Sequence, residues 1–421
     1  MTFKSILLAG VATLAAIAVS GSSLAQDSND PFARADILPV SEQSNPKTDA
    51  KPIPFGRFEL RPEAVFSTGL NSNVLAADIN EVEDSFVGFT PAVSLDSNFL
   101  RHALSAYIEA DHREYSDLSS ESRTNLKIKL RGRLDLGEKT SLVLQMSGVD
   151  ETEDRIDPSN VATSLEPNEF TRLGASIGLG HQAGRVQIQT KLGFASYDFD
   201  DAELEGDLFQ DQDFRDRDEL TASGRLAYAL SPSNAVYASA KVVQADYAAP
   251  NVFNAFNRDH TGTVLMLGTD FQLGDYMNAV FGLGYQHYAY DDALFEDISD
   301  IAFESSVDWR LADRTTLSAE AERIVIDPGV ALSNAAIETG ARVRLEQGLT
   351  SKISLNGAAG FSNYAYETIE REDDRVNLQL GANWKINPNI WLEGGYQVID
   401  QTSDFQSFTD NRALLKMRIF P

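Results

Sequence analysis

The chain of 421 residues has no cysteine. Disulfides, thiolate metal sites, cysteine nucleophiles and a lipid-modified amino-terminal cysteine are therefore excluded. Beyond residue 25 no apolar run approaches the length of about 18 residues that a membrane-spanning helix needs. Histidine is scarce as well, with five residues at positions 102, 112, 181, 260 and 287. None belongs to an HExxH pair or adjoins a GxSxG elbow, and no phosphate loop or clustered metal-ligand motif accompanies them. An enzyme is not expected, and neither is a cofactor. Positive charge is short too: 35 Lys and Arg stand against 63 Asp and Glu, a formal net charge of -28. Nucleic acid is a poor partner for such a surface.

What the chain does contain is alternation. From Leu126 the positions Leu126, Ile128, Leu130, Gly132, Leu134 and Leu136 share one face. Lys127, Lys129, Arg131, Arg133 and Asp135 share the other. Successive side chains on a strand point to opposite faces, so this is a strand pattern, and a 3.6-residue period would smear it. After the turn Gly137-Glu138-Lys139 the pattern resumes at Leu142, Leu144, Met146 and Gly148. Comparable segments recur to the carboxy-terminus. Eighteen are counted, from 57–69, 85–97 and 102–114 through 300–311 and 315–327 to 390–400 and 411–420.

The connections sort by parity. One set is short, such as Ala183-Gly184, Gly274-Asp275-Tyr276 and Asn387-Pro388-Asn389; the other is long and polar, including 70–84, 151–168, 199–217, 248–258 and 401–410. Short turns on one rim and long loops on the other mark an outer-membrane barrel. Its strands need about nine to eleven residues each, which these segments supply. The expected fold is all-β: a single transmembrane antiparallel β-barrel of about 18 strands, outer-membrane type. An even count returns the last strand beside the first and removes the sheet edges.

The chain divides into three regions. Residues 1–25 carry one charge, Lys4, then an apolar stretch and the small-residue end Ser23-Leu24-Ala25, as in a cleaved secretory signal. Residues 26–56 are polar and proline-rich and read as a flexible periplasmic arm. Residues 57–421 are the barrel. Tyr115, Tyr197, Tyr247, Tyr288, Tyr290 and Tyr364 near long-loop ends, with Trp309, Trp384 and Trp391 near short-turn ends, suggest two interfacial girdles.

The first strands resemble the beta-barrel porin type 2 family. The stretch Arg61-Pro62-Glu63-Ala64-Val65-Phe66-Ser67-Thr68-Gly69-Leu70-Asn71-Ser72-Asn73-Val74 carries the likeness, followed by Phe89-Thr90-Pro91-Ala92-Val93-Ser94-Leu95, Arg101-His102-Ala103-Leu104 and Tyr115-Ser116-Asp117. The resemblance implies a bacterial outer-membrane barrel, and some relatives are associated with exopolysaccharide secretion. It therefore implies a conduit for polysaccharide export, with periplasmic export components as partners. It carries over no catalytic residue. Lipid, lipopolysaccharide and the barrel-assembly machinery are the other partners of such a fold. A general diffusion porin for small hydrophilic solutes and a closed structural or adhesive barrel remain alternatives.

With apolar positions on lipid, the alternate positions line a lumen. Lys127, Lys129, Arg131, Arg133, Arg172, Arg185, Lys191, Arg225 and Lys241 form a basic arc. Glu304, Asp308, Glu320 and Glu322 form an acidic one, with Arg310 as an exception. Opposed arcs would set a transverse field across a hydrated pore; paired charges that merely keep the wall wet are the simpler reading. The loop from Asp198 to Glu219 holds eleven acids against Arg215 and Arg217. It lacks the spacing of a dedicated calcium loop and reads as a solvated surface.

Overall fold

The computed structural model describes residues 32, 34, 37–45, 47–160, 164–206, 208–248, 257–330 and 333–421; the expected signal segment lies outside them. Eighteen long strands form the wall: β1 (Phe58–Asn71), β2 (Asp84–Ser97), β3 (Ala103–Tyr115), β4 (Arg123–Asp135), β5 (Thr140–Thr152), β6 (Glu169–Ala183), β7 (Val186–Phe199), β8 (Arg217–Ser231) and β9 (Asn234–Tyr247), then β10 (His260–Leu273), β11 (Met277–Tyr290), β12 (Ile298–Ala312), β13 (Thr315–Ile326), β14 (Ala336–Gly348), β15 (Ile353–Tyr366), β16 (Glu372–Asn387), β17 (Ile390–Ser403) and β18 (Phe408–Ile419). Each pairs antiparallel with the next. Finally β18 returns to β1, from Ala64↔Ile419 to Asn71↔Arg412. The barrel is closed.

Alternation decides which face meets which medium. Leu126, Ile128, Leu130 and Leu134 are exposed on the outside of β4, and Leu265 and Leu267 likewise on β10. Such exposed apolar rows would be untenable in water and are satisfied by hydrocarbon. No described helix is long and apolar enough to cross a membrane, so the strands alone span it. The turns after even-numbered strands are tight. Gly184 and Gly274, with φ of 60° and 55°, supply left-handed backbone there at no Cβ cost.

The aromatic girdles need correction. Trp309 and Trp384 do face outward near the short turns, 39% and 47% exposed. Trp391 does not: it stands opposite Lys385 in the ladder and gives its indole N–H to the Thr48 carbonyl at 3.2 Å. All six named tyrosines share the parity of lumenal residues. Tyr115, Tyr288, Tyr290 and Tyr364 are buried, packed beneath the long loops. The aromatics that reach lipid are Tyr228, Tyr276, Tyr285 and Tyr396. Above the membrane the loops fold inward, and an apolar ring gains more beneath them than at the lipid surface.

The wall is irregular in two places. A short strand, Ile53–Phe55, pairs with Phe58–Leu60 on the side of β1 that β18 leaves free. The ladder between β12 and β13 stops at Phe303↔Arg323, although both strands continue.

Candidate functional site: the lumen and its mouths

The strand order places β4 and β13 nine positions apart in a ring of eighteen, diametrically opposed. Lys129 and Glu320 both lie at mid-strand on the inward face. All thirteen residues of the two expected arcs have lumenal parity, because each alternates with outward-facing apolar neighbours such as Leu130, Leu192, Leu226, Val242 and Ile301.

Their surroundings differ. Lys127 is within 3.9 Å of Glu109 and 3.5 Å of Glu151. Arg133 pairs with Asp135 at 2.8 Å. Arg172 lies 5.8 Å from the Tyr197 ring, and Arg185 stands at the short-turn rim. Lys129, Arg131, Lys191 and Lys241 have no ion-pair partner among the described residues. Beside Lys129 and Arg131 the next inward rows are Ser147, Gly174 and Ala195, and Gln145, Ser176 and Gly193. Two bare cations therefore overlook a floor of small, uncharged side chains.

On the far wall Glu304 and Glu322 are directly opposed across the β12–β13 ladder. Like charges so placed repel, and only a hydrated, high-dielectric lumen makes the pair tolerable. Glu304 accepts the Tyr237 hydroxyl at 2.7 Å. Arg225 lies 3.8 Å over the Tyr237 ring and 3.9 Å from Asp270. Asp308 accepts the Ser318 hydroxyl at 2.8 Å, and Glu320 faces Arg342. Separation of the arcs is thus incomplete. Lys129 and Arg131 against Glu304 and Glu322 are its cleanest part.

Both mouths are narrowed by segments whose role the sequence leaves dark. At the outer mouth, residues 153–160 leave β5 and cross the lumen. Arg412 on β18 binds Asp154 at 2.9 Å, and Arg375 on β16 donates to the Ile156 carbonyl at 2.5 Å. Ser159 reaches Gly329, on the loop between β13 and β14. Buried ion pairs hold this cover: Arg155 with Glu121 at 2.6 Å, and Arg215 with Glu153. Arg258 grips Asp327 at 2.9 Å and the Phe214 carbonyl at 2.7 Å. Burial alone would raise Asp327, but Arg258 and Arg217 hold its carboxyl well below the usual range. Asp157 goes the other way, to about 7, through burial and the negative charge of Glu153 and Asp154. The one hint in the sequence is the mixed-sign run Glu153-Asp154-Arg155-Ile156-Asp157, unlike a simple solvated loop.

At the inner mouth, part of the segment expected to be a flexible arm is fastened to the wall. Arg34 binds Asp270 at 2.9 Å, the Ser41 amide donates to Glu346 at 2.9 Å, and Asp49 binds Lys385 at 2.9 Å. The acidic loop brings carboxylate oxygens of Asp201, Asp211 and Asp213 within 4.8 Å of one another. Three ligands fall short of the six to eight that calcium takes. The histidines stay dispersed: His112, His181 and His287 bond Thr124, Thr140 and Ser299, His102 accepts the Asp135 amide, and His260 packs against Tyr290.

Residues 45–420 match the model of the family described as Putative beta-barrel porin 2. Among solved structures the chain is similar to the outer membrane protein OpdK of Pseudomonas aeruginosa, with 11% identity, a TM-score of 0.47, and coverage of 86% of this chain and 99% of that one. It is similar to Pseudomonas aeruginosa OccK2 (OpdF), with 9% identity, a TM-score of 0.47 and coverage of 86% and 98%. The same holds for a BenF-like porin of Pseudomonas fluorescens Pf-5, with 9% identity, a TM-score of 0.45 and coverage of 86% and 99%. No curated protein shows significant similarity to the sequence.

Proposed function

The chain belongs to the Putative beta-barrel porin 2 family, and its place is the bacterial outer membrane; from that premise we propose that it is a diffusion channel for small hydrophilic solutes. The observation that carries this reading is the lumenal wall itself. Lys129 and Arg131, without ion-pair partners among the described residues, stand across the barrel from the opposed carboxylates of Glu304 and Glu322. A wall of paired charges would need neither the bare cations nor the repelling acids. Charges on opposite sides of a hydrated pore orient polar and anionic solutes as they pass.

Small solutes suit the barrel better than a polymer. Residues 153–160 cross the outer mouth and are anchored to β16 and β18, which leaves less width for a polysaccharide chain. Export of such a chain, the expectation drawn from family resemblance, would require that cover to move. A closed structural or adhesive barrel would have no use for the unpaired lumenal cations. Channel and export readings alike need no catalytic group.

The test is single-channel conductance in a planar bilayer, with ion selectivity, for wild type and Lys129→Glu/Arg131→Glu. The expected result is a steady conductance whose anion preference falls in the variant. Absence of conductance in the wild type overturns the channel.

A further inference from the structure

The amino-terminal segment does not leave the barrel by the shortest path. Arg34 is held at β10, Val40 and Ser41 at β14, and Thr48 and Asp49 at β16 and β17; Ile53–Phe55 then joins β1. Between β10 and β1 lie nine steps of an eighteen-strand ring, so the described residues follow half the inner rim.

The wall is shaped to receive them. Each attachment uses a lumenal side chain of complementary character. The acid Asp270 meets Arg34, the base Lys385 meets Asp49, and the carboxylate of Glu346 meets a backbone amide. Glu346 is 1% exposed, a burial that a carboxylate tolerates only with partners supplied. Lys385 lies with its ammonium 4.2 Å over the Trp391 ring, and Trp391 in turn bonds the Thr48 carbonyl. Gly348 makes room for Val40; a Cβ there would come within 2.8 Å of Val40 Cγ1. Ile37 and Thr48 are buried as well. A solvated linker has no such reception site.

We propose that the residues from Arg34 to Asp49 form the inner constriction of the channel and set the largest solute that passes. The proposal rests on the channel reading and adds the element that limits it. A second layer of backbone laid on a sheet takes up about 10 Å, enough to matter across the mouth of a barrel this size. The fastenings at its two ends are ionic and sit at the turn-side ends of their strands, so the segment can be released without unzipping the wall.

The experiment compares three forms of the full chain by swelling of liposomes in sugars from a mono- to a tetrasaccharide, normalised to folded protein. The first is the wild type. The second, Asp270→Asn/Lys385→Gln, is unfastened, with Asp270→Asn alone as the milder variant. The third, Asp49→Cys/Lys385→Cys, is joined by a short thiol-reactive cross-linker; with no native cysteine, the link is unique. The expected outcome is that the unfastened form admits the trisaccharide at least threefold faster than wild type and that the joined form does not. Swelling confined to the unfastened form also supports the proposal, with the segment then acting as a full plug. Identical size limits in all three forms overturn the proposal while leaving the channel intact. No swelling in any form, even with the monosaccharide, overturns the channel and the constriction together.

Discussion

Gln286 on β11 accepts the amide of Val325 on β13, two strands away, at 3.2 Å. Its amide nitrogen donates to the Ile301 carbonyl of β12 at 3.1 Å. One side chain thereby replaces ladder bonds lost where β12 and β13 part beyond Phe303↔Arg323. Gln286→Leu leaves two backbone groups unpaired, at about 1–3 kcal/mol each. The variant should unfold at lower temperature in a heat-modifiability gel, with faster exchange of the Val325 amide. Gln286→Glu keeps the acceptor and should fall between the two. A Gln286→Leu protein as heat-resistant as wild type would remove the bridging role.

Two glycines on the wall should respond differently to one added methyl. At Gly284 a Cβ would collide with the Leu265 carbonyl and lie 2.8 Å from the Met266 Cα, both fixed backbone of β10. At Gly132 the nearest heavy atom is 4.0 Å away. Gly284→Ala is expected to cut the yield of folded barrel severely, and Gly132→Ala to leave it unchanged. Comparable folded fractions after refolding into detergent would contradict the close approach of β10 and β11 at Gly284.

The outer cover depends on buried charge pairs. Arg215→Met leaves the Glu153 carboxylate buried without its main cation, a loss of about 3–5 kcal/mol for such pairs. Amide exchange across 153–160 should accelerate roughly a hundredfold or more, while exchange in β4 and β5 stays as it was. Parallel changes in cover and wall would mean that the two do not open separately.

The same cover should loosen as pH rises. Asp157 titrates near 7 when folded, above its ordinary value near 3.8, so its folded form holds the proton more tightly. The resulting stability is complete below about 3.8 and is lost as pH climbs through about 7. Asp216, raised to about 6 by burial and by Asp198 and Asp213, acts in the same direction. Asp154 and Asp327, held low by arginines, give stability that is lost only in strong acid. Exchange across 153–160, corrected for intrinsic rates, is expected to be faster at pH 8 than at pH 5.5. Asp157→Asn should flatten most of that difference, and an unchanged profile in this variant would exonerate the residue.

How much of the molecule is legible in the chain depends on where each signal lies. Leu126 to Leu136 display their two faces in order along the sequence, so strand, facing and medium can all be read. The count of eighteen and the lumenal parity of both arcs come from the same local period. Tyr115 and Trp391 obey that period as well; assigning them to lipid girdles relies on position along the strand and ignores the face they share with Arg113 and Glu393. The partners that close the mouths are another matter. Ser41 and Glu346 are 305 residues apart, and Arg412 and Asp154 are 258 apart. No local pattern announces a contact of that range, because it exists only once the ring has closed.

That closure has a consequence for assembly. Every other ladder of the wall joins strands consecutive in the chain and can form hairpin by hairpin. The β1–β18 ladder alone joins the two ends of the barrel, and it has eight pairs where β1–β2 has fourteen. It spans the greatest sequence separation of any ladder and is the natural last step, since its loop-closure entropy is recovered only at the end. Until then β1 presents a bare edge to any neighbouring copy. The hairpin of Ile53–Phe55 occupies part of that edge from the first moment the chain can turn at Gly56, and so guards the growing sheet against pairing with the wrong molecule.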